Sequence, residues 1–223
     1  MPRMIKPHSI IRSKRKSFGL EICVEGKLIL RVPEKATNAE INEVLESKKQ
    51  WILKKTAIAK SKKKIAYNFD NTDSYFFLGK QYPVTFVKQK QSVNFDGEKF
   101  LIAQSQIDNA QTVMTKWYKA KAKKLAIHLV EKYTDKLGIA HKQVKISSAK
   151  TRWGSCSSRK NININWRLVL APLQVMEYVV AHEVAHLKYM DHSIKFWNTV
   201  EKLQPGYKLY KDWLKENGHL ISF

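Results

Sequence analysis

The residues with the strongest chemical implication are His182-Glu183-Val184-Ala185-His186, followed by His192. Together they read H-E-x-x-H-x-x-x-x-x-H. On an α-helix, side chains four apart share a face and lie about 6 Å apart along the axis. Two imidazoles at that spacing can grip one zinc ion, and a Glu directly after the first can face a water held by the metal without binding the metal itself. The chemistry implied is metal-activated hydrolysis. Zinc lowers the pKa of its water to about 7, and Glu183 is placed to take the water proton and hand it to the leaving group.

A catalytic zinc usually has three protein ligands and an open fourth position. His192 is the leading third ligand, because it lies ten residues after His182, the offset found in the longer H-E-x-x-H-x-x-G-x-x-H pattern. In that pattern a Gly turns the chain off the helix. Here Tyr189 holds the Gly position, so Met190-Asp191 are expected to make the turn. Glu201, on the next expected helix, is the rival ligand, although its spacing after His186 is short. His8, His128, His141 and His219 are scattered and read as ordinary residues. Arg152 could stabilise a developing oxyanion or a phosphate, with a structural salt bridge as the equal alternative. Tyr207 reads first as helix packing, with reach into the site as the alternative. Cys156 reads as an inert small residue.

These side chains need a helix, a turn and a scaffold. Pro172 suits a first helical turn, and Val175, Val179 and Val180 give the helix over 172–189 an apolar side. A helix over 193–203 follows, with Phe196 and Trp197 holding the His192 turn in place. Pro205-Gly206 breaks it before a last helix over 207–216. Upstream, the periodicity of Val113, Trp117, Leu125, Leu129, Tyr133 and Leu137 predicts a long helix over 112–137, stopped by Gly138. Its basic face, with Lys116, Lys119, Lys123 and Lys124, reads as solvent-facing. Strands are expected over 144–148 and 161–170. In the front half, strands over 17–24 and 27–32 flank Glu25-Gly26, and Thr37-Asn38-Ala39-Glu40 matches a capping box opening a helix to about residue 60. The run 61–64 is a charged exit. Strands over 75–78 and 82–87 come next, then 92–95 and 99–103 around the Asp96-Gly97 turn. A polar patch over 104–111 marks the expected boundary between residues 1–108 and 109–223.

The chain of 223 residues is long enough to bury a real core, and its hydrophobic content of 43% is that of a folded protein. No apolar run approaches a membrane span. The first residues lack a signal-peptide core, so a cytoplasmic location is expected. Cys23 and Cys156 make no disulfide framework and no Cys-x-x-Cys knuckle. The net charge of +22 can attract nucleic acid, nucleotides or acidic surfaces. It is Lys-rich and spread along helices, so a solvated surface is the simpler reading.

Thr151-Arg152-Trp153-Gly154-Ser155-Cys156-Ser157-Ser158, Asn165-Trp166-Arg167-Leu168, Ala171-Pro172, His182-Glu183-Val184-Ala185-His186-Leu187-Lys188, and His192-Ser193 with Phe196-Trp197 together resemble the YgjP-like metallohydrolases. These are zincin-type proteins related to the SprT-like and WLM metallopeptidase groups. The resemblance covers most of the chain. It implies an α+β protein, with a small N-terminal α+β unit followed by a zincin-like metallopeptidase domain. It also implies zinc on His182, His186 and His192, and Glu183 as general base. In zincins an edge strand, here near 153–155, pairs with an extended peptide. Lys160 departs from the family, which commonly has Gly after the Cys-Ser-Ser segment. The implied activity is metallopeptidase, acting on peptide or protein. Some members carry a nucleotide pyrophosphatase label, notably for UTP, which makes a nucleotide hydrolase the alternative. A basic nucleic-acid-binding protein with structural zinc is a third reading.

Overall fold

Alternation builds the front of the chain. In β3 (Leu28–Pro33), Leu28, Leu30 and Val32 point inward and are buried. β3 is the centre of a three-stranded sheet, paired in parallel with β1 (Ser9–Ser13) and antiparallel with β2 (Gly19–Ile22). The structure, a computed structural model, describes residues 5–22, 26–61 and 73–221. Residues 1–4, Cys23, Glu25 of the expected turn and the charged stretch 62–64 lie outside these.

α1 (Asn38–Ser47) starts at the expected capping box, with the Thr37 side chain accepting from Glu40 N–H and the Glu40 carboxylate accepting from Thr37 N–H. The single helix expected to residue 60 is two helices. Lys48, at φ −104° and ψ 8°, interrupts it before α2 (Lys49–Ser61). Ile41, Leu45 and Ile52 close the core over the sheet. β1 had no alternating apolar signal. It is held from outside by the Arg12 guanidinium, which donates to the Glu34 and Ala36 carbonyls at 3.0 and 2.7 Å.

The chain divides into two units between residues 64 and 65. The expected boundary at 108/109 falls inside the second. There β4 (Ser74–Phe77), β5 (Lys80–Val87), β6 (Val93–Phe95) and β7 (Phe100–Ala103) form a sheet of order β4-β5-β7-β6. The polar patch is a short 3-10 turn over Gln104–Asn109, leading straight into α3 (Ala110–Leu137). Sheet and helix share one aromatic core. Phe77 and Phe100 each meet Trp117 edge-on at 5.1 Å, and Tyr118 Oη donates to the Phe76 carbonyl at 2.8 Å.

α3 runs close to its expected limits and ends at Gly138 in the left-handed region, φ 62°. Its most buried line is Met114, Tyr118, Ala122, Ala126 and Val130, one position round from the expected stripe. Alanines let α3 approach its neighbours closely but give little hydrophobic signal in a sequence. A third sheet, order β8-β10-β9, has β10 (Asn161–Asn165) between parallel β8 (Gln143–Ser147) and antiparallel β9 (Gly154–Cys156). After β10 the chain turns into a 3-10 helix, Trp166–Leu170, rather than continuing as strand. Three helices complete the unit: α4 (Leu173–Ala185), α5 (Ile194–Leu203) and α6 (Tyr207–Asn217). No helix among the described residues is long and apolar enough to cross a membrane.

The entry to α4 is fixed by a hairpin tip. Leu78 and Gly79 both have positive φ, 49° and 81°, as a tight two-residue β4–β5 turn requires. Leu78 N–H donates to the Val169 carbonyl at 2.7 Å. A Cβ on Gly79 would come within 2.8 Å of Pro172, so only glycine lets the tip sit there.

Candidate functional site

α4 is nearly surrounded by core, with Val175, Met176, Val180, Ala181 and Val184 buried. His182 and Glu183 therefore sit in low dielectric, and His186 caps the helix. The helix ends one turn earlier than expected. Its exit tightens through Leu187 N–H to the Val184 carbonyl and Tyr189 N–H to the Ala185 carbonyl. The Tyr189 carbonyl then lies 3.0 Å from His186 Nδ1. A carbonyl can only accept, so His186 Nδ1 carries the proton and Nε2 keeps a free lone pair. The turn is thus made by backbone bonds around Tyr189, without a glycine.

His182, His186 and His192 converge, with one ligand atom from each lying within 4.8 Å of the others. His182 Nε2 and His192 Nε2 are 3.2 Å apart. Tetrahedral zinc with Zn–N near 2.0–2.1 Å would separate two such nitrogens by about 3.3 Å. The donor set and spacing fit a divalent transition ion. Phe196 lies against all three rings, at 4.9, 4.6 and 4.7 Å from His182, His186 and His192. Burial first, then the neighbouring His186, His192 and Lys211, pushes the His182 pKa down to about 3. Burial likewise lowers that of His186. Neutral imidazoles are the form a cation needs.

Glu183 is 5% exposed. Burial pushes its carboxyl up to about 8, opposed by the Arg152 charge. A cation on the histidine cluster would pull it back down. Glu183 lies against β9: a Cβ on Gly154 would collide with its Oε1 and come within 2.7 and 2.8 Å of its Cγ and Cδ. Trp153, Gly154, Tyr178, Val179 and Leu214 line a cavity of about 200 Å³ beside His182 and Glu183.

Other expected residues fall elsewhere. The Glu201 carboxylate accepts from Gly206 N–H at 3.0 Å, bracing the α5–α6 turn, and is not part of the histidine cluster. His8, His128, His141 and His219 are also outside it. Arg152 is exposed in the loop before β9. Tyr207 stacks between Tyr178 and Trp197. The partly buried Cys156 thiol is pushed up to about 11 by burial and then by Glu183. Tyr178 and Lys211 were not singled out from sequence, and Gly154 and Asn165 entered only within the motifs of the family resemblance, with no role of their own. Buried Asn165 donates to the Ala149 and Arg152 carbonyls at 2.7 and 3.1 Å and accepts from Arg167 N–H at 3.1 Å. It ties down the loop that carries Arg152 and Trp153. Only its place at the end of an alternating strand hinted at such a role.

A histidine cluster of this kind, on an HExxH helix packed beside a small mixed sheet, is consistent with the zincin-like class of metal site. The chain belongs to the YgjP-like family, matching its metallopeptidase domain over residues 16–217. It is therefore a metal-dependent peptidase by family. It is similar to the crystal structure of the metallopeptidase zymogen abylysin from Pyrococcus abyssi, with 28% identity, TM-score 0.38, and coverage of 44% of this chain and 99% of that one. A second similarity is to the metallopeptidase zymogen jannalysin from Methanocaldococcus jannaschii, with 23% identity, TM-score 0.36, and coverage of 40% and 91%. Comparison with curated proteins gives no match.

Proposed function

We propose that this protein is a zinc peptidase that cuts extended peptide segments, with His182, His186 and His192 holding the ion and Glu183 as general base. The observation that carries the reading is the convergence of three imidazole nitrogens within 4.8 Å, two from the helix that bears buried Glu183 and its cap and one from the segment that follows it. Zinc, when bound, supplies a Lewis acid and makes a water far more acidic than in bulk. Glu183 takes a proton from water and returns it to the departing amine. The Arg152 cation, near enough to act on Glu183, helps to keep that carboxyl ionised.

β9 supports the choice of an extended peptide. Among the described residues it is an edge strand, bonded to β10 on one side, and its first residue, Gly154, lines the cleft. An extended substrate can add to its open edge and run past Glu183. The cavity of about 200 Å³, walled by Tyr178, Val179 and Leu214 and open beside His182 and Glu183, has room for a single substrate side chain. That is below the ~300–1,000 Å³ of pockets that enclose small-molecule ligands. The nucleotide alternative therefore has less support.

The test uses zinc-loaded protein with a library of unfolded peptides and, separately, with UTP. New peptide termini are expected. Glu183→Gln should keep about one zinc per chain yet lose at least ~100-fold in cleavage, the scale of a positioned general base. Pyrophosphate release from UTP without peptide cleavage would overturn the proposal.

A further inference from the structure

His182 and His186 belong to a helix and its cap, but His192 stands on exposed chain between α4 and α5. A loop histidine must lose rotamer freedom to hold an ion. His186 is oriented by its contact with the Tyr189 carbonyl. His192 is oriented differently. Its ring stacks on Trp197 at 5.7 Å and 25°. Trp197 stacks on Tyr207 at 5.1 Å and 13°, and Tyr207 on Tyr178 at 6.0 Å and 16°. Tyr178 sits one turn before His182 on α4 and meets its ring edge-on at 6.1 Å. The Lys211 ammonium lies 4.4 Å from the Trp197 ring centre, a cation–π contact that further holds the indole.

The rings make a column that leaves the loop at His192, crosses α5 and α6, and returns to α4 beside the first histidine. We infer that Trp197, backed by Tyr207 and Tyr178, is a positioning residue that fixes the His192 ring and thereby sets the affinity of the site for its metal. Flat stacking restricts rotation of the imidazole while leaving its Nε2 aimed at His182 Nε2, 3.2 Å away. It does for His192 what an oriented hydrogen bond usually does for a metal-binding histidine. It also shows how a chain with Tyr189 at the helix exit can still present a third ligand accurately. The inference rests on the three-histidine metal reading above.

Zinc affinity, read by competition with a chromophoric chelator, tests it. Trp197→Ala should weaken binding by roughly 10–100-fold, the scale typical of groups that orient metal ligands. Trp197→Phe keeps a flat face and should recover most of the loss. In a His192→Ala background, Trp197→Ala should add much less, because the stacked ring is gone and only the edge contact of Trp197 with His182 at 5.8 Å remains. Trp197→Leu, which fills more of the vacated volume, serves if the alanine variant does not fold, and the same weakening is expected of it. Wild-type affinity in the alanine or leucine variant, or an equal loss in both backgrounds, would overturn the inference alone. A wild-type protein that takes up no metal would overturn the metal reading and this inference together.

Discussion

At the scale of single residues, the closest fit in the site is between Gly154 and Glu183. A methyl group at 154 would overlap the Glu183 side chain at its Oε1, Cγ and Cδ. Glu183 is buried and cannot simply swing into solvent. Gly154→Ala should therefore displace the carboxylate while leaving the three imidazoles in place. Peptide cleavage is expected to fall at least ~10-fold with zinc content unchanged, since small misplacements of a reacting group are costly. Retained cleavage would mean that β9, not Glu183, gives way. Cys156 allows a check by pH. Its thiol is pushed up to about 11, by burial first and Glu183 second. An ordinary thiol, with pKa about 8.5, is substantially thiolate at pH 8.5. Alkylation of the Cys156 peptide, followed by mass spectrometry, should thus keep accelerating about tenfold per pH unit from pH 7 to 10, with no plateau near 9. A plateau there would show the thiol to be freely solvated. The clustering of the three histidines was legible because their identity and spacing are themselves the signal. The roles of Gly154 and Asn165 were not, since they depend on what a distant segment brings against them.

At the scale of elements, most helices and strands followed from periodicity and caps, and the departures have physical causes. The helix of residues 38–60 is broken at Lys48, where no proline or glycine announces the break. Strand β1 carries mostly exposed residues, so nothing alternates. The expected strand over 161–170 becomes a 3-10 turn after Asn165, whose side chain accepts from Arg167 N–H and caps it. Lys160 is the most instructive case. It sits at φ 59°, between β9 and β10, with its N–H bonded to the Ser157 carbonyl at 2.8 Å. That is the left-handed conformation glycine adopts most readily, which fits the glycine that the family resemblance led one to expect there. Lys160→Gly relieves backbone strain of about 1–2 kcal/mol but gives back about 0.4–1 kcal/mol through a freer unfolded chain. A net gain of about 0–1.6 kcal/mol is expected in denaturant melts. A loss would show that the lysine side chain contributes something the backbone does not reveal.

At the scale of the whole molecule, chemistry and charge are divided unequally. Each unit has its own buried cluster: the first is built on Leu30, Val32 and Ile41, and the second spans both of its sheets and α3 to α6. All three histidines, Glu183 and the residues lining the cleft belong to the second unit. The first holds 17 Lys/Arg against 6 Asp/Glu, half of the net charge of +22. A fragment of residues 65–223 should therefore fold, take up one zinc and cut short peptides, while losing much of any attraction to polyanions. Both properties can be read on one pair of proteins. For the full chain, binding to a labelled single-stranded oligonucleotide should be measurable at 50 mM salt and fall by orders of magnitude at 200 mM, as expected when contacts are mainly to phosphates. The fragment should show weaker binding and a shallower dependence on salt. If the fragment binds zinc and nucleic acid as the full chain does, the basic surface that matters lies around the metal site, and substrates held on nucleic acid would become the next class to examine. If it loses zinc, the first unit contributes to the site despite having a separate core.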